Sequence, residues 1–141
     1  MITRWRSALA GVALSLLVIG VLVARRYVGR PGAAPVPDVT APSDTRIRVQ
    51  VLNATRVRGL GRRAMWHLRD RGFDVVELGT SPSVRDSTLV LDRSGHPEWA
   101  QLVADALGGA RVEARPDSSR YLDVTVLLGA AWRPPAEPFY P

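Results

Sequence analysis

The chemistry open to this chain is limited by its inventory: two histidines, thirteen carboxylates, no cysteine, and nineteen cationic side chains that are all arginine. His67 and His96 stand far apart, and without thiolates they make no metal-ligand spacing. No G-x-S-x-G elbow offers a nucleophile. Asp70, Asp74 and Glu77 straddle the junction of a helix and a strand, and their neighbours are arginines they can balance. The sequence therefore shows no catalytic residues, no metal site and no cofactor, and points away from an enzyme.

One stretch keeps a binding chemistry open. In VQVLNATRVRGLG (Val49–Gly61) a strand runs into a loop that opens a helix. Asn53, Thr55 and the amides near Gly59 could cradle an anion at the helix N-terminus. The competing reading is structural, since asparagine commonly caps a turn by bonding the backbone two residues on. There is no Walker lysine and no G-x-G-x-x-G, only a lone G-L-G. Arginine density favours the anion: Arg46, Arg48, Arg56, Arg58, Arg62, Arg63, Arg69 and Arg71 fall within 26 residues and meet one acid there, Asp70. On a helical wheel Arg62, Arg63, Trp66, Arg69 and Asp70 share the face opposite Leu60, Ala64 and Leu68. A tryptophan among arginines suits a sugar or a partner surface; a solvated face with Trp66 under arginine stems is the plainer alternative. The candidate ligand-binding residues are thus Asn53, Thr55, Arg56, Arg58, Arg62, Arg63 and Trp66. The absence of lysine reads as a codon signature of a GC-rich genome, because selection for bidentate anion binding would not remove every lysine.

These residues must be held by a larger plan. Residues 1–7 form a short end expected in the cytoplasm. Residues 8–24, ALAGVALSLLVIGVLVA, run without a charge and show no polar face. As a helix they reach roughly 26 Å, enough to span if Arg6 and Arg25 snorkel. A cleaved signal is the alternative, but no small-x-small pattern directly follows, and Pro35 sits just after the nearest candidate, Gly32-Ala-Ala34. A permanent single-pass anchor is expected, with the C-terminal domain outside the cytoplasm. Residues 25–45 are a Pro/Gly/Ala-rich linker, and 134–141 a proline-rich tail.

Between them, residues 46–133 read as one small domain. RIRVQVL alternates as a half-buried strand. Gly59 to Arg71 is helical, with Gly72 as its stop. FDVVELG and STLVLD are strands, a helix begins near Pro97 and ends at Gly108-Gly109, and RVEAR and DVTVLLG follow. The order β-α-β-β-α-β-β, with the short RVEAR set aside, predicts an α+β domain of the split βαβ (ferredoxin-like) plan: two helices on one face of a four- to five-stranded sheet, preceded by one transmembrane helix.

The succession V-L-N, a small-residue loop with G-L, G-F-D-V, a D-S after the second helix and a closing D-V-T-V-L-L-G resembles the C-terminal domain of LytR-type cell-envelope proteins. The resemblance covers about Arg46 to Ala130. Ala54 and Arg56 replace the glycines usual in that loop, so the turn must manage without positive φ there. In this bacterial family the domain often follows a phosphotransferase domain that joins anionic glycopolymers to peptidoglycan, and 141 residues leave no room for one. The resemblance implies an accessory, non-enzymatic binding module facing the envelope. Its expected partners are the membrane and an anionic glycopolymer, peptidoglycan or envelope protein. A protein–protein module of an envelope complex is the alternative. A basic nucleic-acid-binding domain fits less well, because the outward residues Arg46, Arg48, Gln50 and Thr125 include no stacking aromatic, and no nucleic acid is expected.

Overall fold

The computed structural model describes residues 38–118 and 121–135; the apolar segment 8–24, most of the linker and the end of the tail lie outside the described residues. Seven elements follow in order: β1 (Arg48–Asn53), α1 (Leu60–Arg69), β2 (Asp74–Thr80), β3 (Leu89–Asp92), α2 (Pro97–Ala106), β4 (Arg111–Ala114) and β5 (Val124–Leu128). Among the described residues no helix is long and apolar enough to cross a membrane.

The domain is α+β, with one five-stranded mixed sheet in the order β2-β1-β5-β3-β4. Here the split βαβ expectation is corrected. A split unit would place another strand between the two that flank each helix. Instead β1 and β2, on either side of α1, pair directly and in parallel, and so do β3 and β4 around α2. β5 enters last and joins the two units, parallel to β1 and antiparallel to β3. Hydrophobicity accounts for the difference. VTVLL is buried at every position except Leu127, and a near-continuous apolar run belongs in the centre of a sheet. RVEA, which the expectation set aside, carries alternate charges and suits an edge.

Register shows that the helices share a face. Val49 pairs with Val124, and Val51 with Val126, which on its other side pairs with Val90. Partners in register point the same way, and all five belong to one core with Leu60, Ala64 and Leu68 of α1 and Ala100, Val103 and Ala104 of α2. Each fully buried aliphatic side chain contributes roughly 1.5–3 kcal/mol. Val39 and Ala41, read from sequence as linker, pack on this core, and the Ala41 N–H bonds the Arg71 carbonyl at 2.7 Å.

The opposite face carries Arg48, Gln50 and Leu52 of β1 beside Thr125 and Leu127 of β5 and Leu91 and Leu89 of β3. Thr125 is buried, and its hydroxyl donates to Gln50 Oε1 at 3.1 Å. Asp123, also buried, receives the Arg48 amide at 2.8 Å and two guanidinium nitrogens at 3.1 and 3.2 Å. The hydrogen bond to Asp123, then its charge, raises the Arg48 pKa above the ordinary arginine value. Asp92 does comparable work before α2: its Oδ1 accepts the amides of Ser94, Gly95 and His96 at 3.1, 2.9 and 3.2 Å, which fixes the turn into the helix.

Candidate functional site

The β1–α1 loop is built by its own side chains. Asn53 Oδ1 accepts the Thr55 amide at 3.1 Å and the Thr55 hydroxyl at 2.8 Å, while Asn53 Nδ2 donates to the Val57 carbonyl at 3.0 Å. Thr55 Oγ1 in turn accepts the Val57 amide at 3.0 Å. This is an Asx turn with a Ser/Thr-type turn nested inside it. The structure thus brings Asn53 and Thr55 together, and directs both into the loop.

The loop meets its neighbours through backbone. Ala54 N–H bonds the Leu128 carbonyl at 3.1 Å, and the Ala54 carbonyl receives Arg85 N–H at 2.7 Å. The left-handed position sits at Gly59 (φ 79°), the N-cap of α1. Ala54 and Arg56 carry side chains where the resemblance implies glycine, and Ala54 is buried.

α1 begins with no side-chain cap and no acid in its first turn. Its unbonded amides and macrodipole leave a partial positive charge of about half a unit there. Arg62 and Arg63 add to that charge instead of balancing it. Both are exposed, as are Arg56 and Arg58.

The eight clustered arginines divide into two groups. Arg46 pairs with Asp74 at 2.6 Å and Arg48 with Asp123. Arg69 Nη2 donates to the Val75 carbonyl at 2.7 Å, and Arg71 Nη1 donates to His67 Nδ1 at 3.1 Å and to the His67 carbonyl at 3.2 Å. Arg56, Arg58, Arg62 and Arg63 form no ion pair among the described residues. Half of the cluster is structural, and the other half surrounds the loop and first turn of α1. Trp66, 44% exposed, continues this face, with the Arg69 guanidinium 5.8 Å from its ring centroid.

A shallow cleft of about 210 Å³ lies between the start of α1 and the end of β2, lined by Asn53, Gly59, Gly61, Arg62, Leu78, Gly79 and Thr80. It takes two of the sequence candidates, Asn53 and Arg62. Thr55, Arg56, Arg58, Arg63 and Trp66 are not in its lining. Leu78, Gly79 and Thr80 were missed from sequence because a bulge after Val49 shifts the β2 register. A glycine inside a strand pattern was the available signal.

The histidines have structural surroundings. His67 is buried, and Nε2 donates to the Ala106 carbonyl at 2.7 Å while Nδ1 accepts from Arg71. That assignment fixes the neutral Nε2–H tautomer and ties α1 to the end of α2, with Trp132 edge-on at 5.9 Å. His96 stacks on Trp99 at 3.9 Å and contacts Glu98 Oε1 at 3.1 Å. Glu98 is held below its ordinary pKa, first by a bond to its own backbone amide and then by His96. No group of three or more His, Asp or Glu able to hold a metal occurs among the described residues.

The family model described as "LytR cell envelope-related transcriptional attenuator" matches residues 46–132. Among solved structures, the chain is similar to the solution structure of the C-terminal domain of RV0431. The two share 29% identity over 71% of this chain and 85% of that one, with a TM-score of 0.43. No curated protein matches the chain.

Proposed function

The chain belongs to the LytR_C family, whose cell-envelope-related domain it carries across residues 46–132, and from that premise we propose that it is a membrane-anchored binding module facing the envelope. In this reading residues 8–24 anchor it, residues 25–45 tether it, and the domain lies outside the cytoplasm. It performs no catalysis of its own; the match covers the LytR_C domain alone. Its ligand is an anionic envelope component: a glycopolymer, peptidoglycan or the membrane surface itself.

The observation that carries this reading is the division of the arginines. Four are occupied by the fold, whereas Arg56, Arg58, Arg62 and Arg63 lie exposed around a helix N-terminus that is itself positive. Four uncompensated cations in one place oppose folding slightly, so the fold alone gives no reason to collect them. Beside an anionic leaflet each contributes about 1 kcal/mol within a Debye length. The tether keeps the domain near that surface, where even a weak site is occupied.

Sedimentation with purified cell-wall sacculi and with anionic vesicles, over a salt series, tests the proposal. The wild-type domain should pellet at low salt and dissociate as salt rises. Changing Arg62→Glu and Arg63→Glu together should weaken binding and flatten the salt slope. A domain that stays in the supernatant at low salt, or a reversed variant that pellets equally well, refutes it.

A further inference from the structure

The sheet has two open margins, and only one is blunted. β4 is four residues long and carries the Arg111–Glu113 ion pair at 3.0 Å, a common protection of an edge strand. β2 is seven residues long. Its first half is closed by the bulge at Val76 and by Arg69, which occupies the Val75 carbonyl at 2.7 Å. Among the described residues its second half has no such device. Ser81 N–H bonds the Asn53 carbonyl at 3.0 Å, so by alternation Gly79 and Glu77 also turn their backbone toward β1. The N–H and C=O of Leu78 and of Thr80 therefore point away from the sheet. Beside them Val76 and Leu78 are 47% and 42% exposed.

This open half borders the cleft against α1. Gly61 keeps it clear: a Cβ there would come within 3.2 Å of Leu78 and Asn53. The result is a strip of unused backbone, an apolar contact at Leu78, and Arg62 in the cleft lining. Those features match the recognition of an extended segment by strand addition. The charge selects the occupant. Arg62 lies in the groove, with Arg58 and Arg63 close by in sequence and likewise without an ion pair among the described residues, so an acidic segment is favoured. A second copy of this chain would bring its own unpaired arginines to the same place.

We propose that the Leu78–Thr80 edge of β2 docks an extended acidic peptide segment of a partner protein, which adds as a further strand and presents a carboxylate to Arg62. The proposal shares the arginines with the function proposed above and rests on that reading for its charge, but the backbone edge is its own.

The test uses the full chain and a labelled ten-residue peptide alternating valine with glutamate, with a valine–lysine peptide as control, followed by fluorescence anisotropy. The acidic peptide should bind, the basic one should not, and hydrogen exchange at Leu78 and Thr80 should slow when the acidic peptide is added. Thr80→Pro removes an outward N–H without touching the β1 ladder. It should weaken peptide binding about tenfold, the scale of one or two lost backbone hydrogen bonds, and leave sedimentation with sacculi unchanged. Leu78→Lys, which places a charge on the edge without altering the backbone, should weaken it similarly; circular dichroism confirms that both variants are folded. Equal binding of the two peptides, or wild-type binding by both folded variants, overturns the proposal. So does self-association of the wild-type chain that Thr80→Pro abolishes, which would make a second copy the occupant. Loss of sacculus binding with retained, edge-dependent peptide binding would sink the envelope-ligand reading alone.

Discussion

Replacing Gly129 by alanine should unfold more of this domain than any other single methyl group added to it. Gly129 closes β5, where the β2–β3 loop crosses it. A Cβ there would lie 2.2 Å from the Ser87 carbonyl carbon, 2.5 Å from Thr88 N and 2.6 Å from Ser87 O. All three are backbone atoms, so no side-chain rotation relieves the clash. Restoring contact distances of about 3.5 Å requires the two segments to part by roughly 1 Å. That movement breaks the bonds from Ala130 N to Arg85 O at 3.0 Å, Ala131 N to Asp86 O at 2.7 Å and Gly129 N to Thr88 Oγ1 at 3.1 Å. Overpacking costs about 1–3 kcal/mol, and each lost hydrogen bond about 0.5–1.5 kcal/mol. The expected destabilisation is therefore about 3–7 kcal/mol, a large part of a small domain's stability. Gly59 supplies the control. Nothing lies within 4 Å of its Cβ position, but its φ is +79°. Gly59→Ala should cost only about 1–2 kcal/mol, from the left-handed conformation, and Gly59→Asn less. Urea unfolding followed by circular dichroism separates the cases. If Gly129→Ala falls within about 1 kcal/mol of wild type, or costs no more than Gly59→Ala, the close backbone crossing is wrong.

Three further outcomes are expected. Asn53→Ala removes the acceptor of the Thr55 amide and hydroxyl and the donor to Val57, so the loop should lose about 1–3 kcal/mol in urea unfolding; an unchanged midpoint would show the turn does not depend on that side chain. The depressed Glu98 pKa gives stability that is full above the ordinary carboxylate pKa and disappears as pH falls through the lower folded value. Glu98→Gln should therefore flatten the acid limb of a thermal-stability profile while leaving its slope at neutral pH unchanged. Fusions after Pro141 should give active alkaline phosphatase and dark green fluorescent protein if residues 46–133 are exported, and the reverse pattern would place the domain in the cytoplasm.

The elements were largely legible because each carries a local period. Leu60, Ala64 and Leu68 at helical spacing are buried, and Arg62, Arg63, Trp66 and Arg69 are exposed, as the wheel requires. Strand order was not legible, because it depends on which apolar run is richest overall, a comparison between distant segments that no local window makes. Gly79 in VVELGT signals an irregular strand but not where it bulges, so the bulge at Val76 and the outward turn of Leu78 stayed hidden. For the candidate site, sequence located the arginines but not their division. Arg48 looks no different from Arg58 until Asp123, 75 residues on from Arg48, arrives beside it.

The position of β5 constrains when the domain can form. The first βαβ unit and the second share no strand pairing; each pairs with β5, and β5 is the last strand made. Until Val124–Leu128 is available, two half-sheets exist with their central margins open, and neither can close the common core. The decisive contacts are also the most distant in sequence, Arg48 with Asp123 and Val49 with Val124, which makes closure slow compared with local helix formation. A chain built this way cannot complete its core until its last strand has emerged. Its topology is a timer, set by the order in which the strands arrive.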